Sequence, residues 1–231
     1  VIFSGAEPAG TNNEQINQNE VQLTTASVNA YRPRANRIVD KIAYIRTLGG
    51  EAHIFTMNPD GSNQRQLTQS IPVAGFRQDE VEFAWYENGS ALYYPNFNKV
   101  YSINVDGSGT RVIYQAAAGE FISEIAVNPA FNTIAVKVND AQGYNAEIRI
   151  VNPNTGALVQ TIITGVTGAL GGLDYSPDGN KLLYTRDASG AKNSQYRQLD
   201  TRIYEYHFNA ATSTEIQTGK PTGFNTLDAK Y

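Results

Sequence analysis

Two glutamates, Glu82 and Glu124, each stand immediately before a large apolar residue in segments that align without a gap, 83–94 and 125–136. A third such segment, 173–184, has Gly172 in the corresponding place, and a C-terminal stretch has Asp228 there. Carboxylates repeated in one register converge wherever the repeats are arranged radially. A narrow ring of them would attract cations and raise the pKa of each member. Convergent carboxylates also serve sugar cleavage, which needs two at a defined separation of roughly 5–10 Å. The plainer alternative is that these residues are only the solvated side of their strands.

Other chemistry is sparsely signalled. The chain has no Gly-x-Ser-x-Gly elbow and no phosphate-binding Gly-rich loop. It has no Cys, which excludes disulfides and thiolate metal sites. His53 and His207 are the two histidines, and both fall at third-strand positions between alternating neighbours; they read as half-exposed strand residues. Asp60-Gly61-Ser62 and Asp106-Gly107-Ser108 superficially suggest calcium loops, but they lack the further spaced oxygens and the closing Glu. They sit where a hairpin needs positive φ, so metal-free tight turns are expected there. No catalytic residue, metal ligand or cofactor is therefore assigned. Residues 186–200 form an insertion much longer than its counterparts, and its Arg186, Tyr196 and Arg197 are the side-chain types that anchor interfaces. The candidate binding residues are thus Glu82, Glu124, Asp228, Arg186, Tyr196 and Arg197.

The elements that would position them come from a repeat of about 40–50 residues. Each unit begins with an alternating strand, a turn built on Asn, Pro or Asp-Gly, and a second apolar strand, which is the half-buried hairpin signature. A third strand then ends at Asn58-Pro59-Asp60-Gly61, Asn104-Val105-Asp106-Gly107 or Asn152-Pro153-Asn154-Thr155-Gly156, and a shorter fourth follows. Fourteen Tyr and nine Phe against one Met also favour pleated strands. A lone four-stranded sheet covers neither of its faces, and radial packing of several such sheets does. The expected fold is all-β: a propeller with blades at about 28–69, 79–115, 121–164 and 170–218. Phe83, Trp85, Ile125, Val127, Leu173 and Tyr175 are expected to be buried between blades.

The stretch Tyr175-Ser176-Pro177-Asp178-Gly179-Asn180-Lys181-Leu182-Leu183-Tyr184, with His53-Ile54-Phe55-Thr56-Met57-Asn58-Pro59-Asp60-Gly61 and Arg65-Gln66-Leu67-Thr68, resembles the WD-like repeat of TolB. The same repeat occurs in the propellers of prolyl-oligopeptidase-type peptidases. The resemblance covers residues 28–218. Blade three departs from it, with Asn128-Pro129-Ala130-Phe131 in place of Ser-Pro-Asp-Gly, and blade one has a longer first turn through Arg32-Pro33-Arg34. The resemblance implies a periplasmic or cell-surface/secreted propeller of the bacterial envelope that binds another protein or peptide segment at the channel opening without catalysis. The alternatives are a carbohydrate-active hydrolase or lyase with carboxylates at the channel, and the gating propeller of a peptidase.

The ends suggest a further blade. Residues 224–231 read as a first strand that stops where its turn would follow, while Val1–Gly5 reads as a second strand and 21–25 as a fourth. A blade split between 224–231 and 1–25 would close a ring of about five in a single domain, 1–231; the rival is an excerpt of a six- or seven-bladed propeller. The polar stretch 7–20 is expected to be a loop. A formal net charge of -4 argues against a nucleic-acid partner. No run approaches the roughly 18 apolar residues of a membrane span, and no leader or lipid anchor is read in the chain.

Overall fold

A computed structural model of the chain describes residues 21–25, 27–77, 81–167, 169–190, 200–216 and 229–231. Its strands form four antiparallel sheets of four, each built from strands consecutive in sequence and arranged as blades of a propeller ring. No helix occurs among the described residues. Sheet one holds β1 (Ala30–Asn36), β2 (Lys41–Leu48), β3 (Glu51–Met57) and β4 (Arg65–Gln66). Sheet two holds β5 (Ala84–Trp85), β6 (Ala91–Asn96), β7 (Lys99–Asn104) and β8 (Arg111–Gln115). Sheet three holds β9 (Phe121–Val127), β10 (Ile134–Asn139), β11 (Ala146–Val151) and β12 (Leu158–Val166). Sheet four holds β13 (Leu170–Tyr175), β14 (Lys181–Asp187), β15 (Thr201–His207) and β16 (Thr212–Glu215).

The core lies between sheets, because side chains alternate across each strand and both faces of a central sheet need covering. Ala43, Ile45 and Ile54 of sheet one meet Phe83, Leu92 and Tyr94 of sheet two. Tyr93, Val100 and Ile113 meet Ile122, Ile125 and Val136 of sheet three. Ala135, Ile148 and Ile150 meet Leu173, Leu182 and Tyr184 of sheet four. Of the six residues expected between blades, Phe83, Ile125, Leu173 and Tyr175 are buried, whereas Trp85 and Val127 are only half-buried. The Trp85 indole Nε1 donates to the Arg34 carbonyl at 2.8 Å.

Local expectations meet mixed outcomes. Arg32-Pro33-Arg34 is not a turn: it lies within β1 as a bulge, with a register shift between Tyr31 and Arg34 and φ of 54° at Arg32. A bulge takes up one extra residue without ending the strand. Residues 21–25 form no strand, although Leu23 packs against the Tyr44–Phe55 face of sheet one. His53 is buried rather than half-exposed, with Nδ1 2.6 Å from the Thr68 carbonyl oxygen; His207 keeps about a third of its side chain exposed. The two Asp-Gly turns are tight, with φ of 82° at Gly61 and 79° at Gly107 and with the Asp carboxylates accepting from the Ser62 and Ser108 amides. Strand pairing between the chain ends would involve residues 1–5 and 227–231, of which 1–5 and 227–228 lie outside the described residues. Residues 229–231 lie against sheet four, where the Tyr231 amide donates to the Asp174 carboxylate at 2.8 Å.

Candidate functional site: a charge cluster on the inner strands

The first strands are neighbours across the sheets, β1 with β5, β5 with β9 and β9 with β13, so residues near one register of these strands come close together. The register can be read from the pairs that close each first hairpin: Ala35 with Ile42, Trp85 with Leu92, Val127 with Ile134, and Tyr175 with Leu182. Three residues earlier in sequence than the first member of each pair stand Arg32, Glu82, Glu124 and Gly172, with Arg32 and Gly172 falling inside the bulges of β1 and β13. Among the described strands, these positions are not all carboxylates. One blade supplies a guanidinium, two supply carboxylates and one supplies no side chain.

The opposite charges pair across the blades. Glu82 Oε1 accepts from Arg32 Nη1 at 2.7 Å, and Glu82 Oε2 accepts from Arg34 Nη2 at 2.8 Å. Both carboxylate oxygens are thus held by sheet one, while the Glu82 amide donates to the Ser123 carbonyl of sheet three at 2.8 Å. The bulge in β1 makes the fork possible. It inserts an extra residue between Tyr31 and Arg34, so that Arg32 and Arg34 converge on one carboxylate.

Glu124 is held differently. Its carboxylate enters a bulge in β13, where the register shifts between Gly171 and Asp174. There Oε2 accepts from the Leu173 amide at 3.3 Å. A Cβ placed on Gly171 would lie 2.1 Å from Glu124 Oε1, so the absence of a side chain at that position admits the carboxylate. Lys137 Nζ, on the neighbouring β10, is 4.0 Å from Oε1, too far for a direct hydrogen bond. Burial is the largest influence on Glu124 and pushes its pKa up to about 7; Lys137 pulls it down, and the nearby Glu82 carboxylate pushes it up again.

The other expected residues do not join this cluster. Arg186 is on β14, the second strand of sheet four, and its guanidinium lies 5.7 Å from the Tyr204 ring centroid on the third strand. Tyr196, Arg197 and Asp228 lie outside the described residues. Among the described residues, no group of three or more His, Asp and Glu side chains is arranged to hold a metal ion. No helix among them is long and apolar enough to cross a membrane. Sequence reasoning missed Arg32, Arg34 and Lys137. Arg32 carried a usable signal: counting back from the first hairpin of blade one puts it in register with Glu82 and Glu124.

No family model matches the sequence, and no curated protein matches it. Solved structures do match in fold. TolB from Acinetobacter baumannii superimposes with a TM-score of 0.58 at 12% identity, covering 78% of this chain and 41% of that one. Oligogalacturonate lyase from Vibrio parahaemolyticus gives 0.63 at 13% identity, covering 86% and 56%. A prolyl endopeptidase gives 0.56 at 12%, covering 82% and 26%. The chain thus spans 41% of that TolB and 56% of that lyase. The fold is a TolB-like β-propeller arrangement, shared by proteins of different activity.

Proposed function

We propose that the chain is a non-catalytic binding scaffold of the cell envelope, periplasmic or cell-surface/secreted, that takes a protein or peptide segment at its channel mouth and at the loops joining second to third strands, including 186–200. The observation that carries this reading is the Arg32–Glu82–Arg34 fork. Its two guanidinium side chains are 31% and 37% exposed, against 19% for the Glu82 side chain, so an incoming segment meets the arginines first. Arginine presents a planar fork suited to carboxylates. The segment is therefore acidic rather than basic, the reverse of what a carboxylate ring would select. The TolB likeness supports the scaffold reading through the fold.

The test is selection from a random peptide library displayed against the whole chain. Acid-rich sequences should be enriched, and they should fail to bind a variant carrying Arg32→Gln and Arg34→Gln. Enrichment of basic sequences, or acidic ones that bind the double variant unchanged, would overturn the reading. A second reading rests on Glu124, because a carboxyl displaced to about 7 beside a lysine suits acid–base chemistry on a uronic-acid polymer. Turnover of a polysaccharide panel that disappears in Glu124→Gln would favour this enzyme reading over the scaffold.

A further inference from the structure

The first-hairpin turns of sheets two and three enclose a groove that the channel reading leaves unexplained. Its space is about 210 Å³, and Tyr86, Glu87, Tyr93, Val127, Phe131 and Pro153 are among the residues that line it. In an antiparallel sheet the turn joining strands one and two lies at the opposite end from the turn joining strands two and three. The groove therefore lies at the other end of sheet four's strands from Asp187 and Thr201, where β14 ends and β15 begins.

Phe131 is held in water by a built turn. The Asn128 side chain accepts from the Ala130 and Phe131 amides at 3.0 Å each, and the Asn128 amide donates to the Thr133 carbonyl at 3.0 Å. The Thr133 amide in turn donates to the Phe131 carbonyl at 2.7 Å. The Asn128 amide group also donates to the Gly179 carbonyl at 2.9 Å, which ties the turn to sheet four. The ring so presented is 54% exposed. This is the turn in which Ala130-Phe131 replaces the Asp-Gly of the repeat, so the departure from the repeat is what supplies an aromatic wall. Across the groove the Tyr86 ring lies 5.8 Å from that of Tyr93, and Glu87 is exposed beside them. Glu87 makes no ion pair among the described residues, and Arg111, which acts on the buried Tyr93 hydroxyl, makes none with it.

We infer that this groove is a second binding site, which takes a single lysine or arginine side chain from a partner peptide. Drug-sized ligands and oligosaccharides need roughly 300–1,000 Å³, so the space suits one side chain. Aromatic faces carry negative charge at their centres and attract a cation, while the aliphatic stem of a lysine or arginine covers apolar surface. A free carboxylate at the rim completes the match, and a neutral apolar side chain would leave it unused.

The test titrates the whole chain with N-acetyl-lysine N-methylamide, its arginine counterpart, and the uncharged norleucine counterpart, followed by heteronuclear NMR. Both cationic probes should shift the Glu87, Phe131 and Asn132 signals with a Kd on the order of millimolar. Norleucine should bind about tenfold more weakly. Glu87→Gln should bring lysine down to the norleucine level, and Phe131→Ala should weaken both. Both positions are exposed, so the variants should keep the parent spectrum elsewhere. The Arg32→Gln, Arg34→Gln variant should bind lysine unchanged, which separates this site from the channel. Equal binding of norleucine and lysine, insensitivity to Glu87→Gln, or shifts confined to the Arg32–Glu82 cluster would each overturn the inference.

Discussion

Replacing Glu124 with glutamine should make the protein less sensitive to alkaline pH, by an amount the geometry fixes. The carboxyl is 13% exposed, and its pKa rises from 4.5 to about 7 on folding, chiefly because burial disfavours the anion. The folded state therefore binds this proton more tightly than the unfolded chain does. Stability from the protonated group is fully present below about 4.5 and is lost as pH rises through about 7. The full displacement corresponds to about 3 kcal/mol, of which roughly 2–3 kcal/mol falls between pH 5 and pH 8. Glutamine keeps the size and the hydrogen-bonding oxygen of the neutral carboxyl but carries no proton to lose. The variant should match the parent near pH 5 and exceed it by roughly 2–3 kcal/mol at pH 8. Urea unfolding of the whole chain at several pH values, followed by the fluorescence of Trp85, the sole tryptophan, measures the difference. A constant gap between variant and parent from pH 5 to pH 8 would refute the reasoning, because it would mean that Glu124 titrates alike in both states.

Gly171→Ala should cost roughly 1–3 kcal/mol, because its Cβ would drive the Glu124 carboxylate out of the β13 bulge; adding Glu124→Ala should recover part of that loss in the same unfolding assay. Gly61→Ala should cost about 1 kcal/mol or more, since φ is 82° and the new Cβ would approach the Leu23 carbonyl oxygen at 3.0 Å. Arg149→Lys should cost about 1–3 kcal/mol, because Arg149 holds both oxygens of Glu120 at 2.8 and 2.6 Å with a fork that lysine lacks. An unchanged urea midpoint in any of the three would contradict the corresponding contact.

The hairpins were legible because each inner strand alternates before a turn that carries Gly or Asn, and burial of Phe83, Ile125, Leu173 and Tyr175 follows from that pattern alone. The chemistry at the channel was legible only in part. Glu82 and Glu124 announce themselves by register, but the side chains and amide that hydrogen-bond their carboxylates come from neighbouring blades. Pairing across blades depends on bulges in β1 and β13 that no local sequence period records. Pro33 between two arginines has the composition of a turn, and a non-glycine residue at positive φ, as at Arg32, leaves no mark in composition. Leu23 illustrates a different limit: the apolar spacing of 21–25 looks like a strand, yet the segment packs by one side chain and does not pair. Phe131 stood out as a break in the repeat, but its exposure depends on the turn that Asn128 closes.

The central claim is that the channel mouth presents guanidinium to an acidic segment, and Glu82→Gln tests it most directly. Removing that carboxylate takes its negative charge away from both arginines while keeping the side-chain size, so its effect on affinity has a sign that differs between accounts. The measurement is the Kd of one selected acidic peptide for the parent chain and the variant, at low and at physiological salt. The account predicts tighter binding to Glu82→Gln, weaker binding to both proteins as salt rises, and no binding once Arg32 and Arg34 are glutamine. Weaker binding to Glu82→Gln than to the parent would contradict it and return the site to cationic ligands.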